Sequence, residues 1–587
     1  EYSMELQKIY AVLIYLGSIF LSRFAKCSPP GPVVECSSGL TDCKVSNAYG
    51  AFPDRSTCRA AQVVFPSTEE ELLKFVAIAV EKKQKMRVIT KYAHSIPKLV
   101  CPGGDSGLVI STANLNHVVS VDKSSMRMTV ESGMGLKDFI DSAAENGLAL
   151  PHSPYWLGVT VGGMLGTGAH GSSLFGKGSA VHEYVVGMRL VIPASEEEGY
   201  AKVLGLTETD EDLNAAKVSL GVLGAISQVT FQLQPMFKRS IINVQQNDSN
   251  MENIVAHFGL EHEFADLTWY PSQHKVIYRV DDRVSVNSSG DGMNDFIGFQ
   301  SQPTSLLSTV RETEEIKEAT KSGEGKCAIS VTQLSTILDT GTGLKNEHMI
   351  FTGYPVIGYQ NKMQSSGSCL SSLDDGLLTA CGWDPQIKGL FYHQTGMSIS
   401  VSKISQFLSD VKKLRDMNFI SMCGLELYSG ILMRYVKASS AYLGKQVDSV
   451  DLDITYYRAN DPNTPRLYED VFEEIEQMAL FNYGALPHWG KNRNLAFDGV
   501  MRKYKKSTMF VNAKNKYDPN MLFSNEWTDS LLGIGAKKVI ITKDGCALEG
   551  LCVCSKDTHC APDRGYFCEA GRVYTKARVC RHRENKI

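Results

Sequence analysis

The sequence has no excess of charge of one sign: 60 lysines and arginines stand against 64 aspartates and glutamates, a net charge of −4. No basic run interrupts that balance, so nothing in the charge points to nucleic acid as a partner. The chain also lacks a G-x-x-x-x-G-K-[ST] loop, and its densest glycines do not follow a strand in the G-x-G-x-x-G spacing. An ordinary P-loop or dinucleotide-binding Rossmann site is therefore not expected. The cysteine-rich end has no paired C-x-x-C spacings, which argues against zinc, and no metal site is expected. The apolar run near the start, Ile9–Leu21, has only thirteen residues, short of a membrane span.

What is present suits a globular chain of two or three domains: 587 residues, 43% hydrophobic and 21% charged. Ile9–Leu21, with Lys8 before it and Arg23 and Lys26 after it, reads as the core of a secretory signal peptide over residues 1–26. On this reading Met4 is the start and cleavage falls near Ala25 or Cys27, with no stable membrane insertion afterwards. A retained signal anchor is the alternative. Fifteen cysteines become fourteen without Cys27, and six of them (Cys546, Cys552, Cys554, Cys560, Cys568, Cys580) crowd the C-terminal end. A disulfide-stapled module is expected there, in an oxidising, secreted or endomembrane setting. The sequons at Asn247 and Asn287 fit that compartment.

The organising stretch is Val159–Gly178, with seven glycines: Gly162, Gly163, Gly166, Gly168, Gly171, Gly176 and Gly178. Glycines this dense permit positive φ and let backbone N–H groups approach a ligand that a side chain would block. The interleaved Val159, Val161, Met164 and Leu165 speak against a flexible linker and for a nucleotide or flavin cradle. Upstream, Ala61–Phe65 is a short apolar run stopped by Pro66. Thr68 then caps a helix, with Glu71 completing a capping box and an apolar face running through Lys83. A strand over Met86–Thr90 completes strand–helix–strand, and Lys91, Tyr92, Ala93, His94 and Ser95 form the strand-end loop, a common ligand position. Further strands are expected at Leu108–Ile110, His117–Asp122, Met126–Glu131, Tyr184–Ile192 and Val229–Leu233. Leu136, Phe139, Ile140 and Ala143 mark a helix closed by Gly147. The polar stretches Ser285–Gly292 and Gln364–Ser372 read as surface loops.

This order resembles the FAD-binding domain of the vanillyl-alcohol oxidase/p-cresol methylhydroxylase flavoproteins. The likeness rests on Val159-Thr-Val-Gly-Gly163, on Gly166-Thr-Gly-Ala-His-Gly171, and on the segment Ser219–Thr230 with its L-G-x-L-G-x-I core. It implies an α+β chain with a two-lobed FAD-binding domain over residues 55–235 and a cap or substrate domain of mixed sheet and helices over 236–530. A cysteine-containing segment, 27–54, precedes them and a cysteine-rich tail, 531–587, follows. It further implies FAD contacts from the loop Lys91–Ser95, from Pro151, from Val161, Gly162, Gly163, Gly166, Thr167, Gly168, His170 and Gly171, and from Gly224 and Ile226. In that family a loop histidine is often joined covalently to the flavin, and His94 occupies the place; a histidine bonded only to backbone is the other reading. Lys91, Tyr92 and Ala93 stand where the family has more glycines.

Leu486-Pro-His-Trp-Gly-Lys491 resembles the sugar-lactone oxidoreductases of that family, and the whole chain resembles their plant type, those acting on L-gulono-1,4-lactone. The resemblance implies oxidation of an aldonolactone to the ascorbate precursor, with hydride passing to flavin and O2 or a redox protein taking the electrons. Such chemistry needs a fixed cation beside the charge that develops on the flavin. Lys491 is the first candidate, with His488 as its polar partner. Arg434 matches the arginine of the family's Glu-x-Arg pair, but the glutamate position is Leu432; Glu426 on the same segment is the candidate substitute. Arg458 is a second-rank candidate, with a solvated strand arginine as the other reading, and His170 reads as a flavin-pocket residue. A carbohydrate oxidase of the berberine-bridge-like type shares this fold, though His-Trp-Gly-Lys argues against it. A flavin-binding protein with little catalysis and a partner-binding tail is the reading from another class.

Overall fold

The computed structural model describes residues 34–45, 58–90, 97–384 and 392–583. The apolar run Ile9–Leu21 and the loop Lys91–Ser95, His94 included, lie outside the described residues. The fold is α+β, built on three main sheets.

In the first, the helix Glu69–Glu81 begins where Thr68 predicts: the threonine side chain accepts from Glu71 N at 3.1 Å. The returning bond to Glu71 comes from Ser67 N, one residue earlier than a capping box places it. This helix buries Leu72, Val76 and Ala79 on a five-stranded sheet. Cys58–Val64 and Met86–Ile89, the strands that the helix joins, are not neighbours; Leu108–Ser111 lies between them, parallel to both. The second sheet is antiparallel, in the order Ala201–Thr207, Val185–Pro193, Ala225–Gln232, Arg127–Glu131, Val118–Asp122. The helix Leu136–Glu145 packs on it through Phe139, whose ring lies 4.8 Å from that of Phe231. Trp489, Phe497, Tyr504 and Phe510, from far down the chain, belong to this same core.

The third sheet has eight antiparallel strands. Helices Met251–Glu261, Val401–Met417 and Glu469–Gln477 cover one face. The other face looks across a cavity toward the glycine stretch. Helices Thr304–Ala319 and Gly323–Asp339 wall that cavity on a third side, the second of them tied to the sheet side by Cys327–Cys423.

The start of Ser285–Gly292 is exposed, as its composition predicts, at Ser285, Val286, Asn287 and Ser289, while its end, Gly292, is buried. Gln364–Ser372 is not a surface loop. Gln364, Ser365 and Ser366 are buried, Ser365 Oγ pairs with Ser153 Oγ at 2.9 Å, and Trp156 Nε1 donates to Cys369 O at 3.0 Å. The disulfide Cys369–Cys381 and these hydrogen bonds hold the segment inside, partnering the Ser365 hydroxyl and the Cys369 carbonyl, while the Gln364 side-chain amide has no hydrogen-bond partner among the described residues.

Seven disulfides pair fourteen cysteines, and Cys27 lies outside the described residues. Three of them staple the tail, which packs on its own chain. Its backbone donates from Arg572, Val573 and Tyr574 to the Glu474 carboxylate at 2.6–2.7 Å, and from Cys580 to Glu473 at 2.6 Å. The helix Glu469–Gln477 is therefore buried on all sides despite its acidic sequence.

Candidate active site

The cavity holds about 1000 Å³ between the glycine stretch and the third sheet. Thr160 caps a short helix, Val161–Gly166, accepting from Gly163 N at 3.3 Å. Val161 and Leu165 turn into the core, which leaves Gly162, Gly163, Met164, Gly166 and Thr167 on the cavity wall. A Cβ on Gly162 would meet Ser132 O at 3.1 Å, and one on Gly163 would meet Thr160 Oγ1 at 3.1 Å. A Cβ on Gly166 would project into open space. Beside Gly162, Ser132 Oγ is buried and has no hydrogen-bond partner among the described residues. A wall of close-approach backbone with an unsatisfied hydroxyl fits a flavin nucleotide.

The remaining members of the expected set divide. Gly224, Ile226 and His170 line the cavity. Pro151 and Val161 are core residues and are not among its lining. Gly168, at φ 69°, makes the turn that follows the helix, and Gly171 lets the chain pass Ser153 O, 2.8 Å from where its Cβ would be. Both glycines serve the backbone around the cavity. Sequence reasoning missed Arg87. Its buried guanidinium donates to Gly221 O, Leu220 O and Phe523 O at 2.7–3.1 Å, pinning the Ser219–Gly221 turn to the cavity wall.

The opposite wall is ionic. Strand Ile431–Val436 sends Leu432 and Arg434 to the cavity, and strand Ser449–Tyr457 sends Asp453 and Thr455. The two strands pair with Leu432 opposite Asp453 and Arg434 opposite Asp451. Arg434 reaches Asp453 at 2.9 Å, Asp451 at 3.3 Å and the carbonyl of His170 at 3.2 Å. Lys491 Nζ lies 2.7 Å from Asp453, and Lys445 Nζ 3.7 Å from Asp451. Trp489 sets this loop: its indole N–H donates to Leu443 O at 2.9 Å and its ring stacks on Tyr504. With Trp489 locked inward, His488 and Lys491 face the cavity.

Burial drives the His170 ring down to about 3, against the pull of Asp451. Burial and then Lys491 push His488 well below the ordinary histidine value. His488 Nδ1 accepts from Gly490 N at 3.1 Å, so the neutral ring carries its proton on Nε2. Burial opposes ionisation of Asp451, but Lys445 and Arg434 hold its carboxyl below the usual range. With both rings neutral, Arg434, Lys445 and Lys491 face Asp451 and Asp453, and one positive charge remains over the cavity floor.

Two expected residues fall elsewhere. Glu426 is buried away from the cavity, accepting from Ser272 N, Ser330 Oγ and Gln273 Nε2 at 2.8–3.2 Å. It does not stand in for the glutamate that Leu432 replaces. Arg458 is buried 3.9 Å from Glu549 of the C-terminal segment.

Known proteins resemble this chain over most of its length. The sequence profile of an FAD binding domain matches residues 60–197, and that of D-arabinono-1,4-lactone oxidase matches residues 391–531. A third profile, L-gulonolactone oxidase 2-like, C-terminal domain, matches residues 543–582. L-gulonolactone oxidase 2 of Arabidopsis thaliana is 58% identical over 574 residues, 97% of this chain and 97% of that protein. L-gulonolactone oxidase 5 of the same plant is 57% identical over 584 residues, 99% of each chain. Among solved structures, a solvent-stable cholesterol oxidase aligns with a TM-score of 0.62 at 14% identity, covering 81% of this chain and 96% of that one. That last likeness is one of fold alone. The cofactor is FAD. The chain belongs to the plant L-gulonolactone oxidase family of vanillyl-alcohol oxidase-type flavoproteins.

Proposed function

We propose that the chain oxidises an aldonolactone, L-gulono-1,4-lactone first, to the ascorbate precursor. Its relatives' names and the lactone oxidase profile over residues 391–531 support the substrate class. The observation that carries the reading is the Arg434–Asp453–Lys491 cluster facing the glycine wall across one cavity. Bound FAD supplies the chemistry by accepting hydride from the carbon that bears the hydroxyl. The surplus positive charge of the cluster stabilises the negative charge that reduction brings, and Lys491 supplies it from the cavity wall. His488 offers its Nε2 proton as a donor, and Arg434 holds the carbonyl of His170. On the FAD side, Gly162, Gly163, Gly166, Thr167, Gly224 and Ile226 hold the cofactor with Ser132 as a further donor, and His94 is the candidate attachment point.

The FAD-binding domain ends near residue 235 and the cap domain near residue 530. We place it in the secretory pathway: disulfides of this number suit an oxidising compartment, and among the described residues no helix is long and apolar enough to cross a membrane. Asn287, in an exposed turn, is the better placed of the two sequons for a glycan. Electrons pass from FAD to O2 or another acceptor. The test is turnover of a panel in air: L-gulono-1,4-lactone should drive O2 consumption while cellobiose and glucose do not. Turnover of cellobiose instead would move the chain to the carbohydrate oxidases.

A further inference from the structure

Strand Ser449–Tyr457 presents Asp451, Asp453 and Thr455 on one side, because side chains alternate along a strand, while Val450, Leu452 and Ile454 enter the core. The surroundings of that row change along it. Asp451 is fully buried and both of its oxygens are engaged, Oδ1 by Ser398 and Lys445 and Oδ2 by Arg434. Thr455 opens on the cavity. Asp453 stands between them, 8% exposed and lining the cavity. Its Oδ2 bridges Arg434 and Lys491, but its Oδ1 is buried with no hydrogen-bond partner among the described residues.

A buried carboxylate oxygen without a donor is costly, and native structures seldom leave one so. The missing donor must be a neutral one. A cation would add to Arg434 and Lys491, which already face this carboxylate, and an anion would be repelled by it. Asp266, another carboxylate lining the cavity, is engaged already by the Tyr155 hydroxyl and Arg279. Directly across the strand pair from Asp453 is Leu432, which offers no polar atom.

Resting on the lactone-oxidising reading above, we propose that Asp453 reads the substrate. Its Oδ1 accepts the hydrogen bond of the lactone hydroxyl on the carbon to be oxidised, while its Oδ2 fixes Arg434 and Lys491 around that hydroxyl. The hydroxyl to be oxidised is the one addressed because the same carboxylate holds Lys491, the cation assigned to the developing charge. The role missing at Leu432 is thereby filled from the neighbouring strand.

The test uses the full-length, FAD-loaded protein, its Asp453→Asn variant, and the 2-deoxy lactone as a competitive inhibitor; oxidation beside the lactone carbonyl, at C2, gives the 2-keto lactone that enolises to ascorbate, so this ligand lacks the hydroxyl in question. Asp453→Asn keeps the shape and should retain FAD. Its kcat/KM for L-gulono-1,4-lactone should fall about 10- to 100-fold, as expected for losing a charged acceptor. The inhibition constant of the 2-deoxy lactone should stay within about threefold, because that ligand never made the contact. Adding Leu432→Glu to Asp453→Asn should recover about tenfold of the loss, since residues directly opposite on paired strands reach the same space. Equal losses for both lactones, or kcat/KM within about threefold of the parent, would overturn the proposal. If Asp453→Asn loses FAD, Asp453→Glu decides: it keeps both ion pairs and, one methylene longer, should still lower kcat/KM about tenfold. Full activity in Asp453→Glu would likewise count against a positioned Oδ1. A parent protein that oxidises no lactone at all would refute the lactone reading itself, which is a different result.

Discussion

Lys491→Met separates the role of charge at this site from the role of shape. Methionine approximates the length of the lysine stem and removes only the ammonium. The structure indicates that the fold survives this. Lys491 shares Asp453 with Arg434, which stays 2.9 Å from that carboxylate, so no carboxylate is left without a cation. The Lys491 side chain is 17% exposed, and because Arg434 keeps Asp453 paired its loss costs less than the ~3–5 kcal/mol of leaving a buried charge unpaired. The effect on reaction is larger. Removing one of three cations that face two carboxylates takes the floor from one surplus positive charge to none. A unit charge acting over about 5 Å at an effective dielectric of about 20 contributes roughly 3 kcal/mol. That agrees with the ~3–4 kcal/mol typical of one preorganised donor, a rate loss of about a hundred- to a thousandfold. The assay is stopped-flow reduction of the bound flavin by L-gulono-1,4-lactone without O2, beside FAD content and thermal midpoint. A variant that holds FAD and reduces at the parent rate would refute the argument and move the weight to Arg434.

Three further outcomes follow from the same geometry. Gly166→Leu should fold yet lose FAD, because nothing lies within 4 Å of the added Cβ and the side chain enters the cavity; flavin absorbance of the purified variant decides, and full occupancy would remove Gly166 from the cofactor wall. Glu474→Ala should destabilise the protein by about 3 kcal/mol or more, because three backbone N–H groups of the tail lose their acceptor; an unchanged calorimetric midpoint would show that the tail is not braced there. Stability should fall in acid, because His152 and His170 are pushed down to about 3 by burial while unfolded histidine takes its proton near 6.5. The unfolded state then binds more protons below that pH, so the thermal midpoint should drop from pH 7 to 5, and less steeply in His170→Asn; a flat profile would contradict the neutral buried rings.

The parts legible in the sequence were local ones. Thr68 and Glu71 announce a helix start within four residues, and the glycines at 162, 163 and 166 announce a wall that backbone forms. His-Trp-Gly-Lys holds its own logic: Trp489 is an anchor, and the residues on either side of it are thereby aimed. The carboxylates that complete the site were not legible as such. Asp451 and Asp453 read as the polar face of an amphipathic strand, and only pairing with Arg434 and packing against His170, 281 positions before Asp451, turns that face inward. The one signal was the strict alternation of Asp, Asp and Thr with Val, Leu and Ile in a strand too apolar to lie at the surface. Arg87 is harder still, since its acceptors are backbone carbonyls as much as 436 residues away. Gln364–Ser372 misled by composition: serine and glycine mark a surface loop unless hydrogen bonds and a disulfide supply what water would.

The central claim, that this cavity passes hydride from a sugar lactone to FAD, is tested most directly by anaerobic titration of the purified protein with L-gulono-1,4-lactone, which needs no knowledge of the electron acceptor. The account predicts that the oxidised flavin absorbance bleaches with the lactone, persists with glucose or cellobiose, and returns when an oxidant is admitted. A protein that carries FAD whose absorbance no lactone bleaches would contradict it.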